Sequence, residues 1–370
     1  MRQAVLALVA GFALVEPGLT AGAKPGEPTQ PQEIVAPSPR KALRPETRPP
    51  GLATPVTPRL RAPAAAPPTR QELAAAAQRR RQSIGAVTSW GYQLAGLDVS
   101  AAAAAPYDLL VVDATTGQGD GKPLSPADVS RLKTTPDGRL RLVVSYLSIG
   151  EAEDYRPDYF SDEYLSEDAP DWLLHENPQW KGNRIIRYCE EGWQRTILGD
   201  EDGRNVYNSI EPSPLYRLIE LGLDGVYLDR VDVYSEVGKI CPDAARRMVA
   251  FVKRLAEHAR KKNPDFLVIL QNAEELLQHR DMVDSIDAVA KEDLFYGADH
   301  SEASNGSSTV SDTLANLRLA RRAGRPVFFV DYIKDRGKIA DARRRGEAEG
   351  FLAYFAPRDL GGLWLPGRDF

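Results

Sequence analysis

The stretch RLVVSYLS, residues Arg141–Ser148, is the clearest indicator of the fold, because its apolar and β-branched residues run on with little polar interruption. Such a run is typical of a strand that is buried on both faces, as in a parallel sheet. Seven further runs of this kind are Thr88–Leu94, Asp108–Asp113, Asp224–Asp229, Phe266–Gln271, Ile286–Lys291, Pro326–Tyr332 and Gly350–Phe355. Together they predict a parallel sheet of eight strands.

Helical signals lie between these runs. Ser125-Pro126 and Ser213-Pro214 each place a capping hydroxyl before a proline at the first helical position, and Pro242–Lys262 is long and amphipathic. Eight strands joined by helical crossovers, within about 290 residues, predict an α/β fold, a (β/α)8 TIM barrel, over residues 83–370. A doubly wound open sheet is the alternative, but it usually has fewer strands.

The run Asn183–Cys189 also has the character of a strand, one more than a barrel of eight can hold. We place it in an aromatic-rich insertion at about 150–223. The aromatic residues there are Tyr155, Tyr159, Trp172, Trp180, Tyr188 and Trp193. Aromatic faces stack on apolar ring surfaces and on ammonium groups, so this set forms either a cleft wall or the core of the insertion.

The first 82 residues differ in composition from the rest. Residues 1–23 combine Arg2, an apolar run of 12 residues and the small-residue site Ala21-Gly22-Ala23, which predicts a secretory signal peptide rather than a retained anchor. Residues 24–70 hold 13 prolines and no aromatic residue, which predicts a disordered linker. A short helix is predicted at the C-terminal end of this segment, which spans residues 24–82. We therefore expect a protein of the cell envelope, periplasm or exterior, with no membrane span in the mature chain.

Charge and cysteine content exclude several classes of protein. The chain carries a net charge of −5, and residues 24–70 carry eight Lys/Arg against three Glu, which leaves −10 on residues 71–370. This balance argues against nucleic-acid binding and suits a cationic ligand. Two cysteines and four scattered histidines predict no metal site and no cofactor. An oxidising compartment permits a disulfide between Cys189 and Cys241, and the sequence leaves open whether they meet.

Polar side chains terminate most of the predicted strands. They are Asp113, Glu151, Asp229, Gln271-Asn272, Glu292 and Asp331. In a (β/α)8 barrel the carboxyl ends of the strands meet at one rim, where active sites lie. Two carboxylates across such a rim suit glycoside hydrolysis, in which one donates a proton to the leaving oxygen and the other attacks the anomeric carbon or activates water.

Two long motifs resemble those of glycoside hydrolase family 114. They are YLSIGEAE, Tyr146–Glu153, which is followed by Tyr155-Arg156, and GLDGVYLDRVD, Gly222–Asp232. Shorter matches in the same order are Trp90–Leu94, the region of Trp180 and Trp193, Gln271-Asn272 and Glu292–Tyr296. The family comprises (β/α)8-barrel endo-α-1,4-polygalactosaminidases and relatives. The resemblance therefore implies a secreted or envelope glycosidase that cuts galactosamine-containing polysaccharide.

The resemblance also implies that Asp229 and Glu292 are the catalytic pair. We assign Asp229 as nucleophile or stabiliser and Glu292 as general acid/base; exchanged roles are the alternative, and Asp232 is a rival for the role of Asp229. The expected substrate-binding residues are Tyr92, Asp113, Tyr146, Glu151, Glu153, Arg156, Trp180, Asp232, Asn272 and Tyr332. Their carboxylates suit the amino group of a deacetylated sugar, while Glu153 and Arg156 also suit a structural ion pair.

Other functions need residues that the chain lacks. A metal-dependent polysaccharide deacetylase needs clustered His and Asp ligands, and a serine hydrolase needs a G-x-S-x-G elbow. Gly117–Lys122 resembles a phosphate loop, but Pro123 follows where Ser or Thr is required. The remaining alternative is a non-catalytic, glycan-binding barrel of the envelope.

Overall fold

Eight parallel strands in one sheet form the centre of the protein, as predicted. The computed structural model describes residues 68–117, 121–156, 169–206, 212–299 and 301–365. In chain order the strands are β1 (Trp90–Gln93), β2 (Leu109–Val112), β3 (Leu142–Ser148), β4 (Glu151–Glu153), β5 (Leu173–Glu176), β6 (Asn183–Ile186), β7 (Gly225–Asp229), β8 (Leu267–Gln271), β9 (Ala288–Glu292), β10 (Val327–Asp331) and β11 (Leu352–Phe355). The predicted signal peptide, the linker as far as residue 67 and Tyr159 lie outside the described residues.

The barrel sheet has the order β1-β2-β3-β7-β8-β9-β10-β11, and every neighbouring pair is parallel. The ring is nearly closed, because the indole Nε1 of Trp90 on β1 donates a hydrogen bond of 3.0 Å to the carbonyl of Leu352 on β11. All four residues of β2, LLVV, are buried, as its continuous apolar run predicts. Seven strands lie within their predicted runs, and β9 extends one residue further, to Glu292.

The extra strand predicted at Asn183–Cys189 is β6, and it lies outside the barrel sheet. It pairs antiparallel with β4 and β5 in a small sheet within the insertion. Behind this sheet the rings of Trp172 and Trp193 lie 5.0 Å apart, and Trp193 donates a hydrogen bond of 2.8 Å to the carbonyl of Ile149. Trp172, Trp193 and Tyr188 are buried. Most of the described aromatic residues of the insertion therefore form its core.

Helices cover the outside of the barrel. They are α1 (Arg70–Gly85), α2 (Val99–Ala103), α3 (Pro126–Leu132), α4 (Glu191–Leu198), α5 (Pro214–Glu220), α6 (Ala244–Lys262), α7 (Arg280–Ser285), α8 (Ser307–Arg322) and α9 (Arg336–Glu349). The predicted starts of α3 and α5 are confirmed, since Ser125 and Ser213 cap the two helices and a proline follows each cap. These caps satisfy backbone amides that have no partner within the helix.

Helix α1 lies against the N-terminal ends of β8 and β9. Arg80 reaches the buried Asp287 at 3.1 Å, and Arg260 of α6 reaches the same carboxylate at 2.7 Å. Asp287 also accepts a hydrogen bond of 2.9 Å from the backbone amide of Val268. A bidentate pair between Arg79 and Asp265 adds a second, exposed attachment. The short helix predicted in the linker segment is therefore an integral part of the barrel domain.

Cys189 and Cys241 form a disulfide, with their Cα atoms 6.1 Å apart. The bond joins the segment between β6 and α4, within the insertion, to the segment that follows β7. None of the helices within the described ranges is long and apolar enough to cross a membrane.

Candidate active site

Asp229 is the last residue of β7, at the C-terminal rim of the barrel. Its Oδ2 accepts a hydrogen bond of 2.8 Å from the hydroxyl of Tyr146, and its Oδ1 accepts one of 2.7 Å from the backbone amide of Arg230. Burial is the largest cause that raises the pKa of Asp229 above its usual range, and the negative charges of Glu292 and Asp232 add to it. The two hydrogen bonds lower this pKa, but by less. The Asp229 carboxyl therefore tends to hold a proton in the free protein.

Glu292 is the last residue of β9, one strand away from β7 across β8. Its Oε1 accepts a short hydrogen bond from the hydroxyl of Tyr332, and its Oε2 accepts one of 3.1 Å from the amide of Asn272. The Asn272 carbonyl in turn accepts from the Glu292 backbone amide at 3.0 Å. The predicted residues Asn272 and Tyr332 thus hold the Glu292 carboxylate in a fixed orientation.

Buried tyrosines lie among the acids, inside the barrel. Tyr227 precedes Asp229 by two residues on β7, so both side chains point inward. Its ring lies 5.1 Å from that of Tyr92, and its hydroxyl is buried with no hydrogen-bond partner among the described residues. Burial raises the pKa of both phenols far above their usual range, and the charges of Glu292 and Asp229 add to the effect. These two rings therefore stay neutral and desolvate the acids.

A second group of predicted residues forms a charged network beside Asp229. The Arg156 guanidinium pairs with Glu153, and its Nη2 lies 2.7 Å from Asp113 Oδ2. Glu153 also accepts a hydrogen bond of 2.8 Å from the hydroxyl of Tyr155. Both carboxylates are buried and both are paired with Arg156. One guanidinium is therefore shared by two carboxylates, which leaves one formal negative charge in this network before any ligand arrives.

Glu151 belongs to a different cluster, which supports the segment after β7. Its carboxylate accepts hydrogen bonds from the amides of Asn177 and Asn183, at 2.6 Å and 2.8 Å, and lies 2.7 Å from Arg230 Nε. Arg230 also pairs with Asp232 at 3.3 Å. This cluster fixes the residue that follows Asp229.

Gly150 allows the turn after β3 to approach the same segment. A Cβ atom at this position would lie 2.1 Å from the carbonyl oxygen of Arg230, far inside contact distance. The glycine of the YLSIGEAE motif is therefore required by the position of the residue after Asp229.

Two predicted residues do not join the acids. Trp180 lies in the turn between β5 and β6, where 46% of its surface is exposed. Asp331 turns away from the rim and accepts backbone hydrogen bonds from Leu294 and Phe295. Side chains alternate along a strand, and Val330 is the residue of β10 that pairs with Glu292, so Asp331 points to the opposite face. The expectation that all the polar strand ends face one another was wrong for Asp331.

Several residues that the sequence did not single out support the acids. Arg358 packs over the ring of Tyr332 at 4.4 Å and binds Asp293. Asn177 and Asn183 hold Glu151. Tyr227 could have been identified as a site residue from the sequence, because it lies two residues before Asp229 on the same strand and so faces the same side. Arg358 carried no such signal, because it lies 65 residues from Asp293.

Metal ligands are not assembled at this rim: across the described ranges, no group of three or more His, Cys, Asp or Glu side chains is placed to hold an ion. The chemistry available to the site is that of two partly buried carboxylates, each with a tyrosine donor, at the C-terminal end of a (β/α)8 barrel. Two carboxyls at such a rim can supply a proton donor and a base or nucleophile.

Comparison with known proteins defines the class further. The model of glycoside hydrolase family GH114 matches residues 69–367, so the chain belongs to this family and is a glycosidase by class. An uncharacterized protein of Deinococcus radiodurans is 33% identical over 289 residues, which cover 77% of this chain and 85% of that protein. An uncharacterized protein of Methanocaldococcus jannaschii is 29% identical over 284 residues, 73% of this chain and 75% of that protein.

A solved structure has the same fold. The glycoside hydrolase domain of PelA from Pseudomonas aeruginosa superposes with a TM-score of 0.55 and 18% sequence identity, covering 75% of this chain and 97% of that domain. At this level of identity, the likeness shows the barrel architecture.

Proposed function

We propose that this protein hydrolyses α-1,4-linked galactosamine-containing polysaccharide by a two-carboxylate mechanism, with Asp229 and Glu292 as the catalytic pair. One observation carries the proposal: Asp229 and Glu292 end two strands of the barrel at its C-terminal rim, and each accepts a hydrogen bond from a buried tyrosine. Burial and the charge of Glu292 also raise the pKa of Asp229, which favours a state in which Asp229 keeps its proton. One protonated and one ionised carboxyl is the starting state that glycoside hydrolysis needs.

In the reaction, the protonated acid transfers its proton to the glycosidic oxygen as the C–O bond breaks. The ionised acid meets the anomeric carbon, either directly or through a water molecule that it deprotonates. The family resemblance favours Asp229 as nucleophile or stabiliser and Glu292 as acid/base. The raised pKa of Asp229 favours the exchanged roles, because it leaves the shared proton on Asp229 in the free protein.

A substrate whose leaving group needs no proton separates these two assignments. On an α-galactosaminyl oligosaccharide fluoride, a variant that lacks the proton donor keeps activity, whereas a variant that lacks the nucleophile does not. If Glu292 is the donor, Glu292→Gln hydrolyses the fluoride and Asp229→Asn does not. The opposite result assigns the proton donor to Asp229.

The expected preference for an amino sugar rests on the acids that remain unpaired. Asp113 and Glu153 are already bound by Arg156, and Asp232 is paired with Arg230, so the rim acids without an arginine partner, and therefore available to an ammonium, are Asp229 and Glu292. The net charge of −10 on residues 71–370 supports the same preference at longer range. The name of the PelA domain, a glycoside hydrolase, agrees with the reaction class.

We also propose that the protein is exported. The signal-like residues 1–23 support this, as does the Cys189–Cys241 disulfide, because such bonds persist in oxidising compartments.

A panel of polymers tests the substrate. Reducing-end release is measured on partially deacetylated α-1,4-galactosaminan, on its fully acetylated form and on α-1,4-galacturonan as an anionic control of the same linkage. We expect release from the first and none from the third. Release from galacturonan alone contradicts the amino-sugar assignment. Tight binding of the polymer with no release from any member of the panel favours the glycan-binding alternative.

A further inference from the structure

Each of the two proposed catalytic acids accepts a hydrogen bond from a tyrosine whose ring is covered by an arginine. Tyr146 donates to Asp229 at 2.8 Å, and the Arg156 guanidinium lies 5.4 Å from its ring centre. Tyr332 donates to Glu292, and the Arg358 guanidinium lies 4.4 Å from its ring centre. The same order of groups, arginine over tyrosine onto carboxylate, therefore occurs on both sides of the rim.

Arg358 is the member of this arrangement that neither the motifs nor the strand ends predicted. It lies after β11, in the segment that follows the last strand of the barrel. Its Nη1 and Nη2 bind the two carboxylate oxygens of Asp293 at 2.9 Å and 2.8 Å, and Nη2 also donates to the carbonyl of Gly297 at 3.1 Å. Three hydrogen bonds thus fix the plane of the guanidinium against the Tyr332 ring.

The partner of Arg358 is the residue that directly follows Glu292. Asp293 adopts a left-handed backbone conformation, with φ of 49°, and its carbonyl accepts a hydrogen bond of 2.7 Å from the Asn305 amide. Arg358 therefore contacts two elements beside the Glu292 carboxylate. They are the turn that begins at Asp293 and the ring of Tyr332, which directly follows the neighbouring strand β10.

We propose that Arg358 is a positioning residue for Glu292 and acts through Tyr332, an inference that rests on the proposed catalytic role of Glu292. A guanidinium that stacks on a phenol ring restricts the ring and draws electron density from it, which makes the hydroxyl a better donor. A better donor stabilises the ionised carboxylate that accepts the bond. Arg358 touches no reacting atom. Its charge also acts on Glu292 through space, whereas the positioning effect, which needs the flat guanidinium on the ring, passes through Tyr332.

The test compares Arg358→Met, Tyr332→Phe and the double variant. Two readouts are measured: the titration of the Glu292 carboxyl by ¹³C NMR in the free protein, assigned by difference from Glu292→Gln, and the pH profile of kcat on the galactosaminan. We expect each single variant to move the titration of Glu292 upward by about one pH unit and to lower kcat about tenfold, with KM changed less than twofold. We expect the double variant to shift the titration by less than the sum of the two single shifts, because the hydroxyl is the shared path of the positioning effect.

Other groups also lie within electrostatic reach of Glu292, and all of them stay unchanged in these variants except Asp293, which loses its bidentate partner in Arg358→Met. They are Asp229, Tyr92, Tyr227 and Asp293. Arg358→Lys keeps the charge near them but cannot bind Asp293 in bidentate fashion while lying flat on the ring. We therefore expect it to restore less than half of the titration shift. Full restoration by lysine would mean that charge alone acts, and would overturn the positioning role.

Arg79→Met is the matched control, since Arg79 also forms a bidentate pair with an aspartate but lies on α1 at the opposite end of the barrel. It should leave the titration and kcat unchanged. Arg358 is merely structural if Arg358→Met lowers stability but leaves the Glu292 titration unchanged. The same conclusion holds if the titration shifts of Arg358→Met and Tyr332→Phe add in the double variant. The NMR readout needs no substrate, so a coupled titration without hydrolysis would reject the proposed function and keep the positioning role.

Discussion

Removal of the Cys189–Cys241 disulfide is expected to lower the free energy of unfolding by about 4 kcal/mol. The bond closes a loop with a sequence separation of 52 residues. For a loop of this size, the chain-entropy relation gives about 14 cal/mol/K for the entropy that the unfolded chain regains when the bond is removed. At 25 °C this corresponds to about 4 kcal/mol. The variant is Cys189→Ala with Cys241→Ala, and the reduced parent protein is its control, since it lacks the bond but keeps both sulfur atoms.

Urea unfolding followed by far-UV circular dichroism measures this loss. Activity at 20 °C should stay within threefold of the parent, because Arg230 still pairs with Glu151 and Val231 and Val233 remain buried behind the segment after β7. A stability loss below about 1 kcal/mol would contradict the loop-closure reasoning. A loss of activity of more than tenfold in protein that is still folded would show that the disulfide, rather than these contacts, holds the segment.

Three further changes test other parts of the structure. Asp229→Asn should be more stable than the parent at high pH. The folded parent keeps the Asp229 proton above the ordinary aspartate pKa of 3.8, so it loses stability as the pH rises from 3.8 through the raised pKa of Asp229. Urea unfolding at pH 5 and pH 8 should show a larger difference between variant and parent at pH 8. Gly150→Ala should lower kcat at least tenfold, because its Cβ would lie 2.1 Å from the carbonyl oxygen of Arg230, the residue after Asp229. Gly85→Ala is the control and should leave kcat unchanged, because no atom lies within 4 Å of its Cβ. Asp287→Asn should cost about 3–5 kcal/mol and speed hydrogen exchange throughout α1, because it leaves Arg80 buried without its partner; unchanged exchange in α1 would refute that anchor.

The barrel could be predicted from the sequence because its strands are buried on both faces and therefore show as continuous apolar runs. The C-terminal ends of parallel strands converge, so Asp229 and Glu292 could be placed at one rim without any contact being known. Asp331 shows the limit of this reasoning. A position at the end of a strand predicts how far along the barrel axis a residue lies. Whether its side chain points inward or outward changes from one residue to the next, so an error of one residue reverses the prediction.

The pairing of the charged groups could not be predicted, because it depends on contacts between distant segments. Arg156 meets Asp113 across 43 residues and Arg358 meets Asp293 across 65. The carboxylates of Asp113 and Glu153 looked available for an amino sugar in the sequence, yet a single guanidinium binds both. Burial and repulsion between the two acids also arise only once β7 and β9 are brought to either side of β8.

The proposed catalytic pair is tested most directly by kcat/KM on partially deacetylated α-1,4-galactosaminan for Asp229→Asn, Glu292→Gln and the double variant, with folding checked by circular dichroism. Two acids that act as one unit should each lower kcat/KM by about 10³-fold or more when removed, and the double variant should lose little beyond the worse single one. A single variant that keeps a tenth or more of the parental kcat/KM would remove that residue from the pair.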